Sequence, residues 1–233
     1  MTSRNQRSLL SPEQSPPIYV VSTGWKAATK DRCIESVRSQ KNVPFEHIYV
    51  EASEQAEPKC MIQNFWEVVT KLPKEAIVVS LDGDDHLAHD RVLERVQHMH
   101  DAGAWVTYGN FVFADGRPSF VTEGYKVGEN IRKAPWRATH LKTMRAGLFQ
   151  RIDPEDLKHE GKWRAWGQDV AMMLPLLEMA GPEHSMFCSD VLCVYNYQSS
   201  FEFTADMKAI AWERELVKDV RARKPYAQIR DYK

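Results

Sequence analysis

The chain is short of several features that would settle its class at once. Its four cysteines in 233 residues form no CxxC pair. Cys33, Cys60, Cys188 and Cys193 therefore read as reduced, buried thiols of a cytoplasmic protein, not as a disulfide framework or a zinc site. Net charge is nearly absent, with 31 Lys and Arg against 32 Asp and Glu. That balance excludes the broad positive field of a nucleic-acid partner, so any anion must be bound locally. No stretch reaches the ~18 consecutive apolar residues of a transmembrane segment. Residues 1–15 carry only Leu9 and Leu10 as an apolar element, far short of a signal peptide's core, and read as a disordered leader. The turn after the first apolar strand, STGWKAATK, holds only Gly24, so a glycine-rich phosphate loop is missing too.

What is present is ordinary in bulk and unusual in one place. Hydrophobic residues at 43% and charged residues at 27% are globular values. The length favours one α/β domain, here 16–204, followed by a helical extension over 205–233. The unusual place is AIVVSLDGDDHL, residues 76–87, where a β-branched run reads as a buried strand and stops in Asp82, Gly83, Asp84 and Asp85. Open α/β sheets build their ligand crevices at such carboxyl ends. Three carboxylates packed so close call for a shared cation, and a hard divalent ion such as Mg²⁺ or Mn²⁺ also leaves coordination positions for phosphates. An Asp-Gly turn, with Asp85 capping a helix from His86 and Leu87, is the alternative.

Around this stretch the elements alternate. Ile18 to Val21 form a first strand, and its small polar end, Ser22, Thr23 and Gly24, either leaves room for a ligand ring or is a plain strand-to-helix turn. A helix over 27–40, a second strand through Ile48 to Val50 ending at Glu51, and a helix over 61–72 follow. Glu51 is placed to bond a nucleoside edge or to be a solvated surface residue. His86 and His89, three apart beside the aspartates, are a candidate metal pair. The pattern then predicts a helix over 87–102, strands over 105–108 and 110–113, and a loop over 115–139 that reads as a lid or a solvated connection. Arg132, Lys133 and Arg137 near the loop's end carry charge suited to a diphosphate. HLKTMRAGLFQRI reads as helical. KWRAWGQDVAMMLPLLEMAG places Asp169 in the first turn of an apolar helix, as a cap or a catalytic group, beside Trp163 and Trp166 whose faces suit a sugar; Pro175 predicts a kink. Val191 to Tyr197 closes as a strand, and 205–223 as an amphipathic helix.

In this order the segments resemble the family 2 glycosyltransferases of the GT-A fold, over about residues 17 to 200. The resemblance rests on IYVVSTGW, EHIYVEAS, Asn64, SLDGDD as the DxD motif, THLKTMRAGLF, WGQDVAMMLPLLEMAG and VLCVYNY. It implies an α/β, Rossmann-like domain whose mixed, mostly parallel sheet is flanked by helices. The implied activity is a metal-dependent, inverting, hexosyltransferase-type transfer of one sugar from a nucleoside-diphosphate sugar, UDP foremost, to a hydroxyl of a glycan or glycoconjugate acceptor. Asp84 and Asp82 would hold Mn²⁺ or Mg²⁺ and the nucleotide, with Asp85 in support. Ser22, Thr23, Gly24, Glu51 and Gly83 would line the nucleotide pocket, and Asp169 would be the general base. Arg137, His140, Trp163 and Trp166 are candidates for acceptor or diphosphate contacts. The chain departs from the family at Glu51-Ala52, in place of an Asp-Asp pair, and at Gln168-Asp169, in place of Glu-Asp. The QxxRW signature of processive synthases is absent, which implies single additions. A sugar-phosphate nucleotidyltransferase, a DxDx(T/V) phosphatase and a GT-A-like binding domain without turnover are the rival readings; the missing glycine loop, Asp85 after Asp84, and the retained aspartates respectively count against them.

Overall fold

Apolar runs bounded by small polar residues become the strands of one sheet, and the stretches of helical spacing between them cover its two faces. The computed structural model describes residues 15–24, 27–51, 60–196 and 207–233; Ala52 and most of the 1–15 leader lie outside them. In chain order the elements are β1 (Ile18–Gly24), α1 (Ala27–Arg38), β2 (Phe45–Glu51), α2 (Met61–Val69), β3 (Ile77–Asp82), β4 (His86–Leu87), α3 (Val92–Asp101) and β5 (Val106–Phe113). After the 114–141 loop come β6 (Lys142–Arg145), α4 (Ala146–Phe149), a 3-10 turn (Pro154–Leu157), β7 (Lys158–His159), β8 (Lys162–Trp163), α5 (Gln168–His184), β9 (Ser185–Tyr195) and α6 (Met207–Ala222).

The seven-stranded sheet has the order β2-β1-β3-β6-β5-β9-β4. β2, β1, β3, β5 and β9 run one way, and β6 and β4 run against their neighbours. The alternation within β3 divides the core: Val78 joins Met144, Phe149, Met173 and Leu174 on the α2/α5 face, while Ile77 and Val79 join Val20, Cys33, Val96 and Met99 on the α1/α3 face. Val220 of α6 belongs to the first of these clusters, and α6 packs on α5.

Four expectations about elements are corrected. The predicted helix over 87–102 starts only at Val92, because Leu87 pairs with Cys193 as a β4–β9 strand and gives its N–H to Ser36 Oγ at 3.1 Å. Lys142 to Arg145, whose spacing reads as helical, are all buried and hydrogen-bonded between β3 and β5; sheet burial overrides local propensity. The two strands separated at Gly109 are one strand with a register shift there, where a Cβ would lie 2.6 Å from the Cys188 carbonyl oxygen. In α5 the dihedrals leave the helical region at Gly181 (φ 65°, ψ 177°) and not at Pro175.

Candidate active site

The carboxyl ends of β1 and β3 meet because two glycines let them. A Cβ on Gly83 would lie 2.8 Å from Gly24 Cα and 2.8 Å from the Tyr49 hydroxyl, and one on Gly24 would lie 2.6 Å from that hydroxyl. Gly83 donates its N–H to the Thr23 carbonyl at 2.9 Å, and the Asp85 N–H closes the turn onto the Asp82 carbonyl at 3.0 Å. Both glycines expected at a nucleotide pocket thus have a packing reason to be glycine.

Asp82, at the tip of β3, lines a crevice with Thr23, Met61, Phe65, Gln168, Asp169 and Met172. Asp169 arrives from the far wall on the first turn of α5. It is not the helix cap: Gly167 holds that position at φ 66°, with no side-chain cap bond. Its carboxylate instead meets Lys142 of β6, whose Nζ lies 2.9 Å from Asp169 Oδ2, an ion pair off the geometry of an aligned hydrogen bond. Lys142 is 1% exposed on its side chain and Asp169 44%, so the contact is made from the protein side. Gln168 accepts the Ile62 N–H at 3.2 Å and so ties α5 to the start of α2.

The charges settle unequally. Burial pushes the Asp82 carboxyl up, and Lys142 only partly offsets burial, Asp169 and Asp84, leaving it at about 7. Asp85 is driven well above the carboxylate range by burial and then by Asp82 and Asp84. Asp169 goes the other way, because the burial that raises it is outweighed by the Lys142 ammonium. Lys142 itself is raised: burial disfavours the ammonium, but Asp169 and Asp82 more than compensate. His140 is lowered to about 3 by burial and then by Lys142, so it is neutral near pH 7.

Asp85 does not cap a helix. Its Oδ1 accepts the Asn196 N–H at 2.8 Å, while its Oδ2 lies 3.7 Å from His140 Nδ1 and 4.0 Å from Cys193 Sγ, which ties the end of β3 to that of β9. These three are the one group of three or more potential metal-binding side chains gathered among the described residues, and it includes neither His86 and His89 nor Asp82 and Asp84. Among the described residues, Asp82, Asp84, Asp85 and Asp169 nevertheless outnumber the one ammonium that acts on them, Lys142. That acid excess, with Asp84 half-buried beside Asp82, is oxygen-donor chemistry that fits a hard divalent cation.

The remaining candidates are scattered. Ser22 is fully buried, 3.0 Å from His47 Nε2 and 3.6 Å from Cys33 Sγ. Glu51 is exposed and paired with Lys30 at 2.9 Å. Arg137 is held by Glu129 at 2.8 Å over the Tyr125 ring, and Arg132 is buried in a bidentate pair with Glu178 at 2.5 and 2.9 Å. Of the positive charge foreseen for a diphosphate, Arg132 thus anchors the 115–139 loop to the body, while Arg137 is paired within the loop, with Glu129 and Glu123. Trp163 packs on Trp66 with centroids 5.5 Å apart, and Trp166 is half-buried; neither lines the crevice. His140 stacks on Tyr195 at 5.0 Å, next to the aspartates. Sequence reasoning missed Lys142. Lys142 stands among His140, Thr143 and Arg145 with no apolar run to mark a buried strand, in a stretch whose spacing reads as helical.

No family model matches the chain, and no curated protein sequence matches it. Solved structures do. TarS from S. aureus aligns with TM-score 0.54 at 14% identity, over 86% of this chain and 39% of that one. The TarS 1-349 structure in complex with UDP-GlcNAc aligns with TM-score 0.57 at 10% identity, over 88% and 66%. A mannosyltransferase, PcManGT from Pyrobaculum calidifontis, in complex with GDP-Man and Mn²⁺, aligns with TM-score 0.53 at 13% identity, over 96% and 69%. The fold is GT-A-like. The chain spans well under half of the full TarS structure, and among its described residues no helix is long and apolar enough to cross a membrane.

Proposed function

We propose that the chain is an inverting glycosyltransferase of the family 2 type, which moves one sugar from a nucleoside-diphosphate sugar, UDP-linked foremost, to an acceptor hydroxyl. The observation that carries this reading is the pairing of Asp82 and Asp169 across one crevice at the carboxyl ends of β1 and β3, in a GT-A-like fold. Two acidic walls with different protonation preferences suit two tasks. Asp169, kept ionised by Lys142 and partly open to solvent, suits general-base work on an acceptor hydroxyl.

Asp84 and Asp82 would hold Mn²⁺ or Mg²⁺, which when bound supplies positive charge to the departing diphosphate. Thr23 would face the nucleotide from β1, and the Gly24/Gly83 contact brings the two strand ends together beneath it. As the acceptor oxygen bonds to the anomeric carbon, its proton passes to Asp169 and the nucleoside diphosphate leaves with the electron pair of the broken bond. A base on the face opposite the leaving group gives inversion. The acceptor is a glycan or glycoconjugate, and the working compartment is the cytoplasm.

The test is incubation with a panel of nucleotide sugars, with and without Mn²⁺, reading released nucleoside diphosphate and the anomeric configuration of the product by NMR. Release of pyrophosphate would make the chain a nucleotidyltransferase, and a retained configuration would end the inverting assignment. An absence of turnover with every donor would leave a binding domain.

A further inference from the structure

Close carboxylates demand a cation, and the chain supplies one of its own. Lys142 sits at 1% side-chain exposure on β6, hydrogen-bonded next to β3, with its Nζ 2.9 Å from Asp169 Oδ2. A lysine is almost never buried so completely unless it is paired, and its stem displaces apolar packing that a Met or Leu would supply at lower desolvation cost. Its neighbours in charge are Asp169, Asp82 and Asp85, with the neutral His140 beside them. In the proposed reaction this ammonium does no more than keep Asp169 ionised.

We propose that Lys142 is the positioning residue of the base: it grips Asp169 Oδ2 from the protein side, turning the other carboxylate oxygen to the crevice to take the acceptor's proton. The proposal rests on the transferase reading. The exposures are its geometric basis, since the ammonium is sealed in the sheet while the carboxylate it holds remains 44% exposed. Lys142 reaches Asp169 from β6, an element separate from α5, so the ion pair also sets how the first turn of α5 stands over the end of β3. In the transfer step the acceptor O–H proton ends on Asp169 and the diphosphate takes the electron pair of the broken bond. Lys142 exchanges no proton and touches no substrate.

Two variants separate charge from packing. Lys142→Met keeps the stem and removes the charge; kcat should fall about 10²-fold or more, with a far smaller change in the donor KM. Lys142→Ala should regain turnover with added propylammonium and not with propanol, because only the amine restores the charge. Undiminished kcat in Lys142→Met, or equal rescue by propanol, would overturn the proposal. A measurement on the unaltered lysine covers variants that fail to fold and needs no turnover. The Lys142 ammonium resonance in ¹⁵N-lysine-labelled protein should move in Asp169→Asn, and an unmoved resonance would remove the pairing. A wild-type protein inactive with every donor sinks the transferase reading instead, and with it the base role, while the resonance still reports on the pair.

Discussion

Asp82 carries an unfavourable charge at the end of β3. Burial, Asp169 and Asp84 raise its carboxyl to about 7 from an ordinary 3.8. A carboxyl raised in the folded state stabilises the fold fully below its unfolded value, and that contribution is lost as pH climbs through the folded value. Asp82→Asn, neutral throughout, should therefore gain thermal stability over the wild type as pH rises from about 4 to about 7, with a constant gap above. Melting curves across that range in metal-free buffer check the sign, and a gap that shrinks with rising pH would contradict it. The division of labour is testable at the same scale. Asp84→Ala should lose Mn²⁺-dependent binding of nucleoside diphosphate in calorimetry. Asp169→Asn should keep that binding and lose transfer by about 10²- to 10⁴-fold, whereas equal loss of binding in both would refute the split.

At the scale of elements, the 115–139 loop is held by the Arg132 side chain. Its guanidinium takes both oxygens of Glu178 on α5 and gives a further bond to the Val220 carbonyl of α6 at 2.6 Å. Both members of the pair are under a tenth exposed, at 8% and 9%. Breaking such a pair leaves a buried charge uncompensated, so Arg132→Met should cost about 3–5 kcal/mol, and Arg132→Met with Glu178→Met should recover much of it. Denaturant melts of the three variants measure this; an additive double variant would mean that the two residues do not act as a pair. This is also the scale at which the sequence was most and least legible. The runs ending in Ser22 and Asp82 marked β1 and β3, because a buried strand needs a continuous apolar run and announces its end, and the shorter run Ile48 to Val50 marked the half-buried edge strand β2. β6 stayed hidden because KTMR has no such run: it is buried by its neighbours on both sides, a fact of topology and not of composition. The start of α3 was misjudged for a related reason, since the bond from the Asn196 N–H that takes up Asp85 comes from the far end of the chain.

At the scale of the whole molecule, the candidate site was half legible. Asp82, Asp84 and Asp169 stand out as acids at element ends, but the cation that joins two of the crevice walls lies on β6, far from β3 and α5 in sequence. What fixes α5 at the correct height is likewise distant. The segment after α6 returns across the α5 side: Tyr226 gives its N–H to Glu178 at 2.9 Å and its hydroxyl to Asp156 at 2.6 Å, and the Ile229 N–H reaches the Met179 carbonyl at 3.0 Å. The Tyr232 ring stands edge-on to Trp105, 5.1 Å away, and lies 5.8 Å from the Arg145 guanidinium of β6. The tail therefore fastens the two elements that carry Asp169 and Lys142 without touching either residue. Deleting 224–233 removes these bonds at about 0.5–1.5 kcal/mol each, which for a chain of this size lowers the melting temperature by roughly 5–15 °C. Because β1 and β3 keep their own contacts, the affinity for nucleoside diphosphate with Mn²⁺ should persist at low temperature, while transfer, which on the proposed role of Lys142 needs Asp169 in register with it, should fall. Calorimetry and turnover on the shortened chain decide it: a parallel loss of both would place the tail under the nucleotide side of the crevice and not under the base.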